Sequence, residues 1–524
     1  MDLQAPMTNC VGILGYPPGM QGRRAVSGTL FAGAAGLLVA LTACETPAVG
    51  TPPAAPPLSP AGSGSAVLPA ALGGGGLASA AYAGSFEAEA RAIHGGLVAV
   101  DTSHGGETNA LRPLAERFKS VGVAAQIVES APGRGNLVAR LKGTGLKKPL
   151  LLLAHIDVVP VEGQPWTVPP FPATEKDGFL WGRGVADDKA MAAAFAAIVL
   201  ELARSKTLLT RDVILALTAG EETGGVEGVQ WLLKNRRELI DAEVALNEGG
   251  GMTLTSDLSD VTLVGIGVAE KSYQSYRLVA RGGGGHSSIP KNGDDPALTL
   301  ARAVVKVGEL RFPARVLPEV RSYFAAASTW EKAPLDAALK RASLSAPRLA
   351  PEDEKILAND RQFNAQLRTT CVTTMLQGSP QDNVLPTSAE AVVNCRILPD
   401  ETREQTLATL VRTIADPKIE VKPEADDGVG PASPITGEVP ATIEKLARAA
   451  FPRAAVVTSM STGATDSRHL RGSGILAYGV SAAPTSIEEI RAGHGAHGPD
   501  ERRPTKWLGP AATFLRSVVV EIAR

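Results

Sequence analysis

The sequence predicts an α/β fold built on a doubly wound mixed sheet. Residues 150–154 form a short, continuous apolar run between Pro149 and Pro160, a pattern typical of a strand buried on both faces. Residues 212–219 and 243–247 are two further apolar stretches of this kind. Helical patterns alternate with these strands, which is the order expected when helices cover both faces of one sheet.

Length and composition limit what the protein can be. A chain of 524 residues with 44% hydrophobic content can bury a large core, and its length suggests two or three domains. The net charge of −2 shows no excess of basic residues, so no nucleic-acid partner is expected. Four cysteines are too few for a disulfide framework or a thiolate zinc site, so any metal must be held by imidazole and carboxylate groups.

The N-terminal region, residues 1–44, resembles a bacterial lipoprotein signal peptide. Arg23 and Arg24 precede an apolar run over residues 25–41, as in a secretory signal. The sequence LTAC that follows resembles a lipoprotein box, in which Cys44 is lipidated and becomes the first mature residue. We therefore predict a lipid-anchored protein of the bacterial cell envelope, on the periplasmic face of the outer membrane. A soluble secreted protein is the alternative.

Residues that could bind a metal follow each buried strand. Chemistry in open α/β sheets collects beyond the carboxyl ends of the strands, so these side chains are expected to meet there. Residues 182–189 (GRGVADDK) add two carboxylates at the start of a helix, where negative charge is favoured. For His155 alone an ordinary hydrogen-bonded histidine is an equally good interpretation, but the recurrence of acids favours a metal site. The residues that follow the strands are His155, Asp157, Glu221, Glu222 and Glu248.

These motifs resemble those of the M20 peptidases, which are di-zinc aminopeptidases, carboxypeptidases and deacylases. The patterns HxDVVP, GRGxxDDK, the Glu-Glu pair, GGxxHSSxP and HGxDE all stand in this chain, and the resemblance extends from about Glu87 to the C-terminus. Within the family the chain is most similar to the carboxypeptidase S and Gly-X carboxypeptidase branch. The resemblance implies two Zn²⁺ ions per subunit, with Co²⁺ or Mn²⁺ as alternatives.

The resemblance also implies a set of metal ligands. Asp187 would bridge the two metals, and Asp188 is its competitor for that role. His497 is preferred to His494 because only His497 continues as HGPDE. The other implied ligands are His155 and Glu248 for one metal, and Glu222 beside His497 for the second.

The resemblance implies other roles for three residues that are not metal ligands. Glu221 would be the general base, taking a proton from the attacking water and passing it to the leaving amine. Asp157 would orient the ring of His155 by hydrogen bonding. His286, in a glycine-rich turn, would donate to the tetrahedral oxyanion from the partner subunit of a homodimer.

A clamp for the substrate is expected near the C-terminal return of the chain. Arg468 in TDSRHL is the best candidate, because a guanidinium binds a carboxylate bidentately. Asn383 is expected to assist it. Cys371 and Cys395 fit either a disulfide in an oxidising compartment or a buried thiol at Cys395.

The chain is expected to divide into five segments. Residues 45–85 are rich in Pro, Ala, Gly and Ser, which predicts a flexible linker after the signal peptide. Residues 86–269 and 433–524 would form the catalytic domain, and residues 270–432 an inserted α+β lid that mediates dimerisation. Within the lid the pattern predicts strands at 272–282, 384–398 and 419–422, helices at 295–309 and 404–414, and an irregular helical stretch at 311–369.

The leading hypothesis is a zinc-dependent hydrolase that cleaves an amide bond next to a free carboxylate. Its substrate would be a peptide or an N-acyl amino acid, as in a carboxypeptidase or an N-acyl-amino-acid amidohydrolase. A dipeptidase or small-molecule deacetylase is the alternative within the same fold. A lipoprotein that binds a ligand without catalysis is a third hypothesis, and the intact Glu221 argues against it.

Overall fold

The computed structural model describes residues 85–344, 348–424, 428 and 430–524. The predicted signal peptide with Cys44, and the predicted linker up to residue 84, lie outside the described residues. Within the described ranges, no helix is both long enough and apolar enough to cross a membrane.

The described residues form fifteen α-helices and nineteen β-strands. The helices are α1 (Phe86–Val98), α2 (Glu107–Ser120), α3 (Lys189–Ser205), α4 (Val229–Asn235), α5 (Arg237–Ile240), α6 (Pro296–Glu309), α7 (Pro318–Ala327), α8 (Leu335–Leu344), α9 (Pro351–Ala358), α10 (Arg361–Leu367), α11 (Arg403–Ile414), α12 (Glu438–Ala450), α13 (Ser467–Gly472), α14 (Ile487–Arg491) and α15 (Thr505–Ala523). The strands are β1 (Ala124–Ala131), β2 (Arg134–Leu141), β3 (Leu150–His155), β4 (Thr174–Lys176), β5 (Phe179–Trp181), β6 (Val213–Thr218), β7 (Val244–Asn247), β8 (Gly251–Leu254), β9 (Val261–Glu270), β10 (Ser272–Arg281), β11 (Gly285–His286), β12 (Thr370–Gln377), β13 (Val384–Leu385), β14 (Ser388–Ile397), β15 (Ile419–Pro423), β16 (Ala455–Ser461), β17 (Leu476–Gly479), β18 (Thr485–Ser486) and β19 (Arg502–Pro504).

The main domain is built on a ten-stranded sheet of order β1-β2-β6-β3-β7-β17-β9-β8-β18, with β16 paired to β9. Strands β6, β3, β7 and β17 run parallel, whereas β2 is antiparallel to β6, so the sheet is mixed. Leu150 and Leu152 of β3 face a core shared with α1, α3 and α15. Leu151 and Leu153 face the opposite core, shared with α4 and α13. Helices therefore cover both faces, which confirms the doubly wound prediction.

The lid is a separate four-stranded sheet of order β12-β14-β10-β15, with α6 and α11 packed on it around their own core. Strand β12 was not predicted, because it lies at the sheet edge and five of its eight residues are exposed, which weakens the apolar signal. The strand expected over 384–398 is divided into β13 and β14 around Pro386, which lacks a backbone donor. Cys371 and Cys395 lie opposite each other on β12 and β14 and form a disulfide bond.

The helices α7–α10 occupy the irregular helical stretch predicted at 311–369, but they pack on the main domain rather than on the lid. Helix α7 lies against β16, where the amide of Thr458 donates to Ser322 Oγ at 2.9 Å. Phe324 and Phe363 meet edge to face, with their ring centroids 5.5 Å apart, inside the main core. The range 270–432 expected for the lid is therefore too broad, since it includes this segment.

Lys271 stabilises the connection between the two domains. It is the one residue between β9 of the main sheet and β10 of the lid, and it is fully buried. Its Nζ donates to the carbonyls of Ala365 at 2.9 Å and Arg368 at 2.8 Å, and to Thr370 Oγ1 at 3.1 Å. Burial lowers the pKa of Lys271 to about 7. The chain passes between the two domains at Lys271 and again near residues 365–370, and these hydrogen bonds join the two connections.

Candidate metal centre

The ligands that the sequence predicts meet at the carboxyl ends of the parallel strands. His155 is the last residue of β3, Glu222 lies in a short 3₁₀ turn after β6, and Glu248 follows β7. Asp187 lies two residues before α3, and His497 belongs to the loop between α14 and β19. The sheet thus brings together side chains from five separate parts of the chain.

Two groups of ligand atoms share Asp187. His155, Asp187 and Glu248 form one group, and Asp187, Glu222 and His497 form the other, with the ligand atoms of each group within 4.8 Å of one another. Asp187 Oδ1 lies 3.1 Å from His155 Nε2, whereas its Oδ2 lies 3.1 Å from His497 Nε2. Each oxygen of Asp187 therefore faces a different group, as a bridging carboxylate must.

The second group is the more open one. Glu222 Oε1 lies 3.0 Å from His497 Nε2, and the side chain of His497 is 53% exposed. In the first group Glu248 Oε1 lies 3.8 Å from His155 Nε2, and the side chain of His155 is only 1% exposed. The centre is therefore open to solvent on the side of His497.

The charges of the two groups fit divalent cations. Burial, together with the negative charges of Asp187 and Glu221, raises the pKa of Glu248 well above its usual range. Hydrogen bonds to Asp187 and Glu222 raise the pKa of His497 to about 10. Repulsion among buried carboxylates favours the protonated form of Glu248, whereas the attraction of carboxylates favours the charged form of His497, and cations bound among these groups would relieve the excess negative charge. Mixed imidazole and carboxylate donors suit Zn²⁺ and similar metals.

Asp157 fixes both His155 and the turn after β6. Its Oδ1 lies 3.5 Å from His155 Nδ1, which also contacts the main-chain carbonyl of Asp157 at 3.1 Å. Its carboxylate accepts the amides of Glu221 at 3.1 Å and Glu222 at 3.0 Å. Burial opposes ionisation, but the hydrogen bonds from His155 and from these amides lower the pKa of Asp157. With Nδ1 occupied in this way, His155 presents Nε2 to the ligand group.

Glu221 lies in the same turn as Glu222 but belongs to neither ligand group. Burial raises the pKa of Glu221 well above its usual range, and the negative charges of Asp466 and Glu222 act in the same direction. A carboxyl group next to the ligands, but not one of them, is free to accept and return a proton. This is the position that a general base requires.

Asp188 and His494, the alternatives to Asp187 and His497, lie outside both ligand groups. Asp188 is buried at the start of α3, and its Oδ2 has no hydrogen-bond partner among the described residues. The ring of His494 packs edge-on against Trp181, with the centroids 6.0 Å apart. The geometry therefore favours Asp187 as the bridge and His497 as the ligand.

A buried ion pair that the sequence analysis missed joins two loops of the centre. Arg183 Nη1 donates to Glu501 Oε2 at 2.7 Å, and both side chains are almost completely buried. Glu501 also accepts the amides of Gly184 at 3.2 Å and Ala186 at 2.8 Å, directly before Asp187. Arg183 Nη2 donates to the carbonyl of His497 at 3.2 Å. Both residues belong to the motifs that carry the ligands, but those motifs do not show that the two side chains pair.

His286 and Asn383 lie together on the lid. Strand β11 pairs with β13, and the amide of Ser287 donates to the carbonyl of Asn383 at 3.0 Å. Both side chains are exposed, and His286 Nδ1 accepts the amide of Ser288 at 3.1 Å. Among the described residues no hydrogen bond joins either side chain to the ligand groups. The role predicted for His286 therefore requires a partner subunit or a movement of the lid.

Arg468 lies in α13 beside the turn that carries Glu221, and it is buried. Its Nη2 lies 3.5 Å from the carbonyl of Gly224, the residue that ends this turn. Burial raises the pKa of the neighbouring Asp466 to about 7, against the positive charges of His155 and Arg468. The guanidinium thus lies buried against the turn that carries Glu221 and Glu222.

Paired ligand groups around a shared carboxylate, at the strand ends of a doubly wound sheet, are the arrangement of a two-metal centre, a kind of site that often activates water for hydrolysis. Comparison with known proteins then gives the family. The model of Peptidase family M20/M25/M40 matches residues 151–521, and the protein belongs to this family. The predicted resemblance to the M20 peptidases is confirmed, and the protein is a hydrolytic enzyme.

Individual relatives are consistent with this assignment. The chain is 29% identical over 354 residues to the N-fatty-acyl-amino acid synthase/hydrolase PM20D1 of Xenopus tropicalis, covering 66% of this chain and 68% of that protein. It is 28% identical over 328 residues to a probable carboxypeptidase S-like 2 of Dictyostelium discoideum, covering 62% of each. The M20 family metallo-carboxypeptidase Sso-CP2 from Sulfolobus solfataricus shares its fold, with a TM-score of 0.61 at 19% identity, over 82% of this chain and 98% of that one.

Proposed function

We propose that the protein is a zinc-dependent hydrolase that cleaves an amide bond next to a free carboxylate, acting on peptides or N-acyl amino acids. The observation that carries this proposal is the arrangement of Asp187, with one oxygen facing each ligand group, while Glu221 stays outside both groups. The names of the frog and Dictyostelium relatives support the two substrate classes, N-acyl amino acids and C-terminal peptide bonds.

The roles of the protein groups follow from their positions. Two bound divalent ions would polarise the scissile carbonyl and acidify the attacking water. Glu221 accepts the proton of that water and returns it to the leaving amine, which must depart as a neutral group. Asp157 keeps His155 in the orientation in which Nε2 faces the ligand group. The Arg183–Glu501 pair holds the loops of Asp187 and His497 at a fixed separation.

Metal removal and a substrate panel test the proposal. Chelation is expected to abolish turnover, and Zn²⁺ is expected to restore it best when Zn²⁺, Co²⁺ and Mn²⁺ are added separately. N-acyl amino acids and dipeptides with a free C-terminus should be cleaved much faster than the same compounds with an amidated C-terminus. Equal cleavage of the amidated compounds would favour a small-molecule deacetylase, and binding without turnover would favour the non-catalytic hypothesis.

Replacing Arg468 with lysine tests the carboxylate clamp. An ammonium group cannot form the bidentate contact, so kcat/KM for a free-carboxylate substrate is expected to fall. The fall should correspond to a loss of about 1.5–3 kcal/mol of transition-state stabilisation. The C-terminally amidated analogue is the control, because it never made this contact and should lose nothing further. Equal losses on both substrates would show that Arg468 supports the turn at Gly224 instead.

We infer that two subunits pair through the lid and that His286 acts across this interface. The edge strand β12 exposes Val372, Met375 and Leu376, which would be covered by a second lid. When inactive Glu221→Gln and His286→Ala subunits are mixed, mixed dimers would contain one intact site each, so activity should return to about a quarter of the wild-type value. A monomer in sedimentation analysis, or no recovery after mixing, would contradict this arrangement.

We further propose that the protein is attached to the outer membrane through a lipid on Cys44. The support is the sequence LTAC after a basic and apolar segment. After a high-salt wash, which screens charge-based contacts with lipid headgroups, the Cys44→Ser variant should be found in the soluble fraction, since this lipid would be the main anchor. A variant that stays in the membrane fraction after a high-salt wash would contradict the lipoprotein assignment.

A further inference from the structure

Two loops lie at the end of the main sheet opposite the metal centre. Residues 142–149 lead into β3, and residues 206–212 lead into β6. Because β3 and β6 are parallel neighbours whose carboxyl ends carry the centre, both loops lie at their amino ends. The six residues of β3 separate the two edges of the sheet by about 20 Å.

Backbone hydrogen bonds join the two loops into one surface. The amide of Thr144 donates to the carbonyl of Leu209 at 2.9 Å, and the amide of Lys147 donates to the carbonyl of Thr210 at 3.1 Å. The amide of Thr210 in turn donates to Ala523 at the end of α15 at 2.8 Å. The side chains that these loops present to solvent are therefore held in place by the fold.

Two of the presented side chains are leucines. Leu208 is 85% exposed, the most exposed large hydrophobic residue in the described part of the chain, and Leu146 is 80% exposed. Leu209, directly after Leu208, is only 3% exposed and belongs to the main core. Because Leu209 is fixed in the core, its neighbour is forced outward. A pair of outward leucines on joined loops is an unfavourable surface in water unless something covers it.

The two loops that carry the leucines also carry four lysines: Lys142, Lys147, Lys148 and Lys206. Asp212 pairs with Lys142 at 2.9 Å, and Glu438 pairs with Lys147 at 2.7 Å. For Lys148 and Lys206 no ion pair is found among the described residues, and both side chains are exposed. The two leucines and four lysines, which we name the Leu–Lys face, therefore carry a net positive charge.

We propose that the Leu–Lys face docks reversibly on an anionic phospholipid surface. Leucine side chains can enter the boundary between headgroups and acyl chains, and ammonium groups are attracted to anionic headgroups. A protein partner is less well matched, because lysine is depleted in the cores of protein interfaces. When the protein docks through this face, the metal centre points away from the membrane. Soluble substrates can then reach the centre. The inference depends neither on Cys44 nor on the proposed reaction.

Vesicle binding tests the proposal with the full chain carrying Cys44→Ser, so that no lipid on that residue contributes. This protein should sediment with vesicles of phosphatidylcholine and phosphatidylglycerol, and less with phosphatidylcholine alone. Adding Leu146→Ser and Leu208→Ser should lower the partition coefficient at least about ten-fold. Lys148→Glu with Lys206→Glu should weaken binding to the anionic vesicles only. The matched control, Leu344→Ser, removes an equally exposed leucine (81%) outside the face and should change nothing.

A position-specific label separates this face from the apolar N-terminal run at residues 25–41. In a Cys10→Ser, Cys44→Ser background, Leu208→Cys with an environment-sensitive fluorophore should report an apolar environment when anionic vesicles are added, and a label at Leu344→Cys should not. Turnover of a soluble substrate should be unchanged in all these variants. A label at position 208 that stays in water on vesicle-bound protein overturns the proposal. So does a leucine double variant that alters the oligomeric state without altering vesicle binding.

Discussion

Replacing Glu221 with glutamine is expected to reduce turnover by roughly 10²–10⁴-fold while both metals stay bound. Glutamine keeps the size of the side chain but cannot accept the proton of the attacking water. Glu221 lies outside both ligand groups. Its main-chain amide donates a hydrogen bond to Asp157, and this bond, which the substitution leaves intact, holds the turn in place. Elemental analysis and kcat measured on the same sample check both parts of this result.

The neighbouring substitution Glu222→Gln is the matched control, because it makes the same chemical change in the same turn. Glu222 contacts His497 at 3.0 Å in the second ligand group, so this variant should lose metal as well as activity. Loss of metal from the Glu221→Gln variant would place Glu221 among the ligands and overturn its assignment as the base. The pair of variants thus separates proton transfer from metal binding.

The ligand set could be predicted from the sequence because each ligand after a strand follows a short buried run. His155 ends β3, Glu222 lies in the turn after β6, and Glu248 follows β7, and parallel neighbours bring their carboxyl ends to one edge. The shared Asp187 and the distant His497 depended on the motifs, since no periodicity places residues of separate loops side by side. The structure places these five residues in two groups that share Asp187.

The parts that the sequence did not predict depend on contacts between distant segments. Arg183 and Glu501 are 318 residues apart, and neither belongs to a pattern that shows which residue it will contact. The helices between residues 311 and 367 follow a lid strand and a lid helix, so chain order placed them in the lid. Their apolar faces, however, fit the main core, as Phe324 and Phe363 show. Edge strand β12 was missed because an exposed strand lacks strong alternation.

The substitution Asp187→Asn is expected to remove both metals and to abolish activity. Each oxygen of Asp187 faces a different ligand group, at 3.1 Å from His155 Nε2 and 3.1 Å from His497 Nε2. An amide nitrogen cannot act as a ligand and the shared negative charge is lost, so both sites weaken together. The loss of affinity should exceed the roughly 10–100-fold cost of removing an outer-shell partner. Metal content per subunit after gel filtration measures it.

Asp188→Asn provides the control at the adjacent position, with the same change of charge and size. Asp188 is buried beside the centre but contributes no atom to either ligand group, so this variant should retain both metals. Single-group variants complete the comparison, because Glu248→Gln should lose metal only from the group of His155, and Glu222→Gln only from the group of His497. If Asp187→Asn kept one metal, the two sites would not share a bridge. If Asp188→Asn instead lost both, the bridging carboxylate would be Asp188.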